Sequence, residues 1–473
     1  WALIASVRHR RTPLDIAAEC GVDPWFLERF QRIVAMERRL LAEDLTPSLL
    51  RAAKRLGFSD RDIATLADRL PDQVRALRDE WGIRPAYKMV DTCAAEFDAV
   101  TPYFYSTYEE ENEAIPSADR DRMLVIGSGP IRIGQGIEFD YCSVRAARAL
   151  QEAGVLAILA NSNPETASTD FDTSDRLYFE PLDEESVRDL LENEAGGDGA
   201  PRSIVQFGGQ TAVNMARVLH RSALPIAGSS ADSIDLAEDR GRFEAIISSL
   251  DIPQPPGAAV HTLEEALPTA DAVGYPVLVR PSYVLGGRAM EVVQDAEELE
   301  RFFEAALAER TGAVLIDKYL EGLEVEVDAI CDGVDVLIPG IMEHIERTGV
   351  HSGDSMAVYP GVNLSRDEVD TLVEYTTRIG LALKVSGLMH VQYALIPSAT
   401  GGPATVYVIE VNPRASRTVP FLSKVTTVPM VRIATNIMLG KSLAEQGYTG
   451  GLAPRQPLVA IKAPVFSMSK LSG

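Results

Sequence analysis

Between positions 407 and 418 the chain reads Tyr407, Val408, Ile409, Glu410, Val411, Asn412, Pro413, Arg414, Ala415, Ser416, Arg417, Thr418. Val408, Ile409 and Val411 ahead of an Asn-Pro pair predict a buried strand running into a loop. Side chains two apart on a strand leave from the same face, so Glu410 and Asn412 project together. A carboxylate beside an amide oxygen, with Arg414 and Arg417 following, suits Mg²⁺ and phosphate oxygens. The plain alternative is a strand end with a solvated polar rim, and Glu-x-Asn by itself does not separate the two. Gln392 adds weight. A hairpin across residues 397–404 would set it beside Glu410 and complete an oxygen-only set, Gln392, Glu410 and Asn412. Mg²⁺ takes few protein ligands of this kind and keeps its other positions for water and nucleotide phosphates.

Further anion chemistry is available upstream. Arg240 and Arg280 are candidates to clamp phosphate oxygens, although a single arginine is more often a surface ion-pair partner. Residues 281–288 (PSYVLGGR) link two strands and carry paired glycines, so their amides can fold over phosphates, but no Gly-Lys-Ser/Thr is present. Gly127, Gly129 and Gly134 open a strand–turn–helix with Gly-x-Gly-x-x-x-x-Gly spacing, not the dinucleotide fingerprint. Asn161 stands where NAD binding would need a ribose-binding acid, which argues against NAD. His351 lies in a glycine-flanked polar loop, a context that favours a ligand contact over a core role.

The elements that must hold these groups fall into three patterns. Residues 13–81 read as short helices with repeated start signals: Thr12-Pro13, Asp23-Pro24, Thr46-Pro47 and a capping box at residues 59–62. Within them, residues 58–83 have the cadence of a helix-turn-helix carrying Arg75 and Arg78. Asp68, Asp72, Asp79 and Glu80 surround those arginines and favour a packing or assembly domain instead. Residues 85–121 read as an irregular, Tyr-rich, acidic connector. From Met123, strands at 123–127, 155–160 and 203–206 alternate with helices at 144–153, 185–191 and 212–220, a βαβ pattern. After Asp239 come strands at 277–280, 291–293, 314–316, 324–331, 336–343, 388–395 and 406–411, with helices at 297–308 and 368–383, an α+β domain suited to closing over a ligand.

Composition narrows the class. The 473 residues are 46% hydrophobic, enough for about three well-cored domains. Net charge is −24, divided as +3 over residues 1–90 and −27 over the rest, which argues against a nucleic-acid groove. No apolar run reaches the roughly 18 residues that span a bilayer, and no signal-peptide pattern is present. Cys20, Cys93, Cys142 and Cys331 are scattered and read as reduced thiols, so the expected location is cytoplasmic, with no membrane or nucleic-acid partner. A start at Trp1 instead of Met reads as a piece of a longer protein.

Several long motifs occur in order: residues 129–141 (GPIRIGQGIEFDY), 163–166 (NPET), 280–288, 340–344 (GIMEH), 351–355 (HSGDS) and 410–420. Together they resemble the large subunit of carbamoyl phosphate synthetase, over nearly the whole chain. That subunit is a tandem duplication of ATP-grasp halves, and this chain is similar to its helical assembly domain followed by the second half. The resemblance implies a multidomain fold: an all-α helical domain, an α/β Rossmann-like pre-ATP-grasp domain and an α+β ATP-grasp domain. The expected boundaries are 1–120 for the helical oligomerisation domain and connector, 121–239, 240–450, and 451–473 leading to an absent regulatory domain.

The resemblance also implies a reaction, ATP-dependent phosphorylation of carbamate to carbamoyl phosphate, feeding arginine and pyrimidine biosynthesis. Arg240 and Arg280 match residues on the nucleotide phosphates, with residues 282–287 covering them. Lys318 and Leu320 match a hinge whose backbone meets adenine. Glu324 matches the carboxylate on the ribose, with Glu326 as the alternative. Gly349, Val350, His351 and Ser352 match further nucleotide contacts. Gln392, Glu410 and Asn412 match ligands of two Mg²⁺ or Mn²⁺ ions bridged by Glu410, and K⁺ is a further ion the resemblance allows. Arg414 and Arg417 match residues facing carbamate and the transferred phosphoryl group, with Arg280 also counted as catalytic. Implied partners are the glutaminase small subunit, the missing N-terminal synthetase half, and further copies through the helical domain. Another ATP-grasp carboxylate-amine ligase, a biotin-carboxylase-like enzyme and a mainly structural fragment are the rival readings.

Overall fold

The computed structural model describes all residues except 98–99, 118–119, 132–135, 197–198, 282–290, 309–312, 351–354, 399–401 and 466–473. The chain divides into two compact units, one of residues 1–117 with 185–196, the other of residues 118–184 with 197–473.

The first unit is built on helices whose starts follow local rules. Thr12, Asp23, Thr46 and Ser59 accept hydrogen bonds from the first turns of Pro13–Cys20, Pro24–Ala42, Pro47–Arg55 and Asp60–Leu66, and Asp62 closes the expected capping box. Leu27, Leu40, Leu49, Leu50, Ile63 and Val74 are fully buried and core these helices. The connector is more ordered than its composition predicts: Ala86–Met89 and Tyr103–Thr107 pair antiparallel. Its aromatic and β-branched residues pack as strands, a preference that irregular spacing conceals.

Arg75 and Arg78, the helix-turn-helix candidates, point inward. Arg78 is 1% exposed and donates to Asp60 at 2.7 Å and Asp189 at 2.8 Å. Arg75 reaches Asp189 and Glu192, both at 2.6 Å. Lys54 binds Asp60 at 3.2 Å and also meets Glu185, whose other oxygen accepts the Asp60 amide. Two arginines and a lysine so committed are withdrawn from any phosphate backbone, as the packing reading of residues 58–83 expected.

The second unit contains three sheets. Five parallel strands in the order Arg176–Phe179, Leu156–Asn161, Arg122–Ile126, Arg202–Ile204, Ile226–Ala227 form the first. Their central residues, Met123–Ile126 and Leu156–Ala160 above all, are apolar and buried, as a sheet covered on both faces requires. The single helix expected at 212–220 divides into Gly209–Val213 and Met215–Arg221 around Asn214. Next, Glu291–Val293, Val277–Pro281, Val314–Lys318 and Gly257–Val260 make an antiparallel four-stranded sheet packed against Leu263–Val273 and Ala296–Ala308. The third sheet runs Thr405–Asn412, Ser386–Ile396, Leu323–Asp332, Val336–Arg347, Ala357–Tyr359 and Ala460–Lys462 in antiparallel pairs, with Gly451–Leu452 added parallel to Val336–Arg347.

This third sheet separates its faces strictly. In Leu323–Asp332, Val325, Val327, Ala329 and Cys331 join a core with Leu372 and Ile379 of the helix Arg366–Ala382. Glu324, Glu326 and Asp328 alternate with them and therefore leave from the opposite face. Burying three carboxylates on one strand face carries a large desolvation cost, so that face must be rich in donors or serve cations.

Candidate active site

Cross-strand register builds the site. Glu326 lies opposite Gln392, and Gln392 opposite Glu410, so three strands contribute one row. Asp328, His390 and Asn412 form a parallel row one step along. The hairpin expected across residues 397–404 is present, with residues 399–401 outside the described set, and a bulge at Ile409 follows the Gln392–Glu410 pair. Gln392, Glu410 and Asn412 thus share one half-buried face.

Both amides are oriented by carboxylates. Asn412 Nδ2 donates to Glu410 Oε1 at 2.6 Å, and Gln392 Nε2 to Glu326 Oε1 at 3.3 Å. With its NH₂ group so engaged, each amide keeps its carbonyl oxygen, the group a hard cation takes, for a ligand role. One carboxylate and two oriented amide oxygens are a donor set for a hard divalent cation.

Behind this row, His344 Nε2 comes within 3.2 Å of Glu326 Oε1 and its Nδ1 within 3.6 Å of Glu324 Oε1, neither in hydrogen-bond geometry. Burial first, then the nearby Glu326, pushes the Glu324 carboxyl up to about 7 despite the opposing pull of His344. Burial would also raise Glu326, but His344 and His390 outweigh it and hold that carboxyl well below the usual range. Burial lowers the two imidazoles, and their carboxylate neighbours more than reverse this, so both His344 and His390 are raised. Glu324, Glu326 and His344 offer ligand atoms within 4.8 Å of one another, a second set able to hold a metal ion.

The basic groups gather elsewhere in the second unit. Arg240 forms a two-pronged pair with Asp317, at 3.0 Å through Nη1, and its Nε meets Glu244 at 2.5 Å. Arg280 Nε is 3.7 Å from the same Asp317 and is buried without a hydrogen bond among the described residues. The two arginines expected at the nucleotide phosphates therefore converge on one carboxylate. Lys318 spends its ammonium on the carbonyls of Gly274 at 2.7 Å and Tyr275 at 3.1 Å. Leu320 O accepts the Thr348 hydroxyl, and the Gly322 and Thr348 backbones bond at 3.2 Å, which stitches the 318–322 segment to Gly349 and Val350. Gly349 has φ +102, a backbone conformation that residues with a side chain rarely adopt. His351, Ser352 and residues 282–287 lie outside the described residues.

Arg414 and Arg417 sit on the loop leaving Asn412. Arg414 Nη1 donates to Ala415 O at 3.0 Å, its guanidinium lies 5.9 Å from the Phe139 ring centre, and its Nε is buried without a partner among the described residues. Desolvation lowers its pKa, as expected of a cation waiting for an anion. The orphaned Nε groups of Arg280 and Arg414 fit phosphate-like ligands.

Sequence reasoning missed Asp328, His390 and Asp317, and met Glu326 only as an alternative and His344 only inside a motif. One signal could have found two of them, Glu326 and Asp328: acids alternating with apolar residues in Leu323–Asp332 announce a buried polar face. The glycine turn has its own explanation. Gly129, at φ +71, donates to Asn161 Oδ1 at 3.0 Å, and Asn161 Nδ2 donates to Ser168 at 2.9 Å, so Asn161 plugs the turn from within.

The fold and site define an ATP-grasp type of protein. Biotin carboxylases are among the solved structures it resembles: the domain of Hydrogenobacter thermophilus 2-oxoglutarate carboxylase, in complex with MgADP, ADP and bicarbonate, superposes with TM-score 0.56 at 23% identity, covering 70% of this chain and 71% of that one. The Campylobacter jejuni biotin carboxylase β,γ-ATP complex gives TM-score 0.56 at 18% identity, covering 72% and 75%. Identities this low speak for fold alone. Three family descriptions match in order: a carbamoyl phosphate synthetase large-chain oligomerisation domain at residues 1–82, a carbamoyl phosphate synthase preATP-grasp domain at 119–236 and a carbamoyl-phosphate synthase L chain ATP binding domain at 239–446. The carbamoyl phosphate synthase large chain of Thermomicrobium roseum is 62% identical over all of this chain, and that of Caldanaerobacter subterraneus 53% over 99%. The chain belongs to the carbamoyl phosphate synthase large chain family, and it spans 44% and 43% of those two relatives.

Proposed function

We propose that this chain carries the site that phosphorylates carbamate with ATP to give carbamoyl phosphate. The observation that carries the reading is the Gln392–Glu410–Asn412 face, with both amides oriented by carboxylates and two arginines leaving directly after it. Divalent Mg²⁺ or Mn²⁺ held there would supply charge neutralisation on the β- and γ-phosphates, with Gln392, Glu410 and Asn412 as its ligands. Arg240 and Arg280 bind nucleotide phosphates, exchanging part of their hold on Asp317 for them. The 318–322 segment and Gly349–Val350 line the base and ribose, with Glu324 on the ribose. Arg414 and Arg417 orient carbamate, stabilise charge on the transferring phosphoryl group and keep it in line for attack by a carbamate oxygen. No protein nucleophile is required.

In this reading the parts are a helical oligomerisation domain and connector (1–120), an α/β pre-ATP-grasp domain (121–239), an α+β ATP-grasp domain (240–450) and a leading segment (451–473). Mn²⁺ and K⁺ as further ions, an N-terminal synthetase half, a glutaminase small subunit and self-association through the helical part belong to the same proposal. The reverse reaction tests it: full-length large chain given MgADP and carbamoyl phosphate should make ATP. An enzyme that instead consumes ATP only with biotin and bicarbonate would overturn the reading.

A further inference from the structure

The loop that carries Arg414 and Arg417 is pinned at two points. Near its start, Ala415 N donates to Gln206 O at 2.9 Å. The Gln206 side chain is fully buried and in turn accepts from Leu388 N at 3.3 Å and donates to Ser229 at 2.7 Å. At its end, the Thr418 hydroxyl donates to Asp328 Oδ2 at 2.5 Å. The other oxygen of Asp328 faces His390 Nδ1 at 3.1 Å, and Ser416 bonds to both the hydroxyl and the amide of Thr418 at 2.7 and 3.0 Å. Asp328, His390, Ser416 and Thr418 are all 5% exposed or less.

Thr418 does not spend its hydroxyl on its own helix. It is the N-cap of Val419–Thr426, where a threonine hydroxyl ordinarily accepts from the first turn, yet it makes no side-chain cap bond. Its proton goes to a buried carboxylate on another strand, 90 residues away in sequence. That carboxylate belongs to the row Asp328–His390–Asn412, which ends on one of the residues assigned to the metal. A single buried acid therefore ties the arginine loop to the strands that present the metal ligands.

We infer that the Asp328–Thr418 bond is a positioning device that sets Arg414 and Arg417 at a fixed distance from the Gln392–Glu410–Asn412 face, so that it governs the phosphoryl acceptor and not the nucleotide. The inference rests on the proposed function. Asp328 and Thr418 act through the arginines and touch no substrate. Loosening the bond should leave the phosphate and base contacts at Arg240, Arg280 and residues 318–322, which lie on other segments, as they are. It should spoil the geometry of the carbamoyl group and of the transition state.

The test is steady-state ATP formation by full-length large chain from MnADP and carbamoyl phosphate, for wild type, Thr418→Val, Thr418→Ser and Asp328→Asn. Thr418→Val is expected to raise KM for carbamoyl phosphate about 10-fold and to lower kcat about 10-fold, with KM for ADP within about twofold. Thr418→Ser, which keeps the donor, should stay within about threefold of wild type. Asp328→Asn keeps one acceptor oxygen and should show the same split in weaker form. MnADP binding followed by calorimetry should be unchanged in all of them, which a general loss of folding would not allow. An equal fall against both substrates, a serine variant as poor as the valine variant, or wild-type kinetics in Thr418→Val and Asp328→Asn would overturn the inference alone. A wild-type chain that makes no ATP overturns the proposed function and the inference together.

Discussion

Glu410→Gln is the sharpest perturbation of this site. Glu410 is the one formally charged member of the Gln392–Glu410–Asn412 set. Its amide replacement has nearly the same shape, and a glutamine carbonyl can still accept from Asn412 Nδ2, now 2.6 Å from Glu410 Oε1. The side chain is half-buried and lies at the sheet edge formed by Thr405–Asn412, so stability should change by less than about 1 kcal/mol. What disappears is a negative charge placed to balance divalent cations on the phosphates. Removal of one such preorganised electrostatic group costs about 3–4 kcal/mol of transition-state stabilisation, or about 10²–10³-fold in kcat. The assay is coupled detection of ATP formed from ADP and carbamoyl phosphate, over a range of Mn²⁺ concentration, with the melting temperature measured in parallel. A polar rim predicts instead the near-neutrality of an ordinary surface change. Activity within about threefold of wild type, at unchanged metal requirement, would refute the metal assignment.

Other expectations concern the scaffold. Arg78→Ala removes the buried cation that Asp60 and Asp189 share, leaving Lys54 and Arg75 as their partners, and should cost the first unit about 3 kcal/mol, read by urea denaturation. Gly387→Ala, at φ +116 and with a Cβ 2.0 Å from Gln206 Oε1, should destabilise by about 2–4 kcal/mol in thermal melts and disturb the brace on Ala415. Burial pushes Asp332 up, but amides of Asp335, Leu443 and Val334 outweigh it and hold its carboxyl below the usual value. A depressed folded pKa contributes stability that is full above the unfolded pKa and fades as pH falls through the folded one. Asp332→Asn should therefore lower the melting temperature at pH 7 and make little difference near pH 2.

Local rules made much of this architecture legible. Proline after a capping residue marks helix starts at Pro13, Pro24 and Pro47 because both requirements are met within four residues. The Gln392–Glu410 pairing could be read because a hairpin is the short way to join two adjacent strands. Other features depend on distant partners. Asp317 draws Arg240 from 77 residues away and His390 meets Asp328 across 62, so neither pair leaves a trace in spacing. Arg75 and Arg78 were legible as packing residues from the acids near them, but the acids that bury them, Asp189 and Glu192, lie more than 100 residues on and could not be read from spacing.

That last arrangement bears on how such proteins can be rearranged. The first unit is discontinuous: the helix Glu184–Asn193 supplies Glu185, Asp189 and Glu192 to it, and Val187, Leu190 and Leu191 are fully buried. A genetic exchange with its crossover near residue 117 would part those acids from their cations, and would leave Lys54, Arg75 and Arg78 uncompensated in the excised piece. Inheritance of the helical part as a free-standing cassette is thereby penalised at both ends. A viable graft would have to carry residues 185–196 with it.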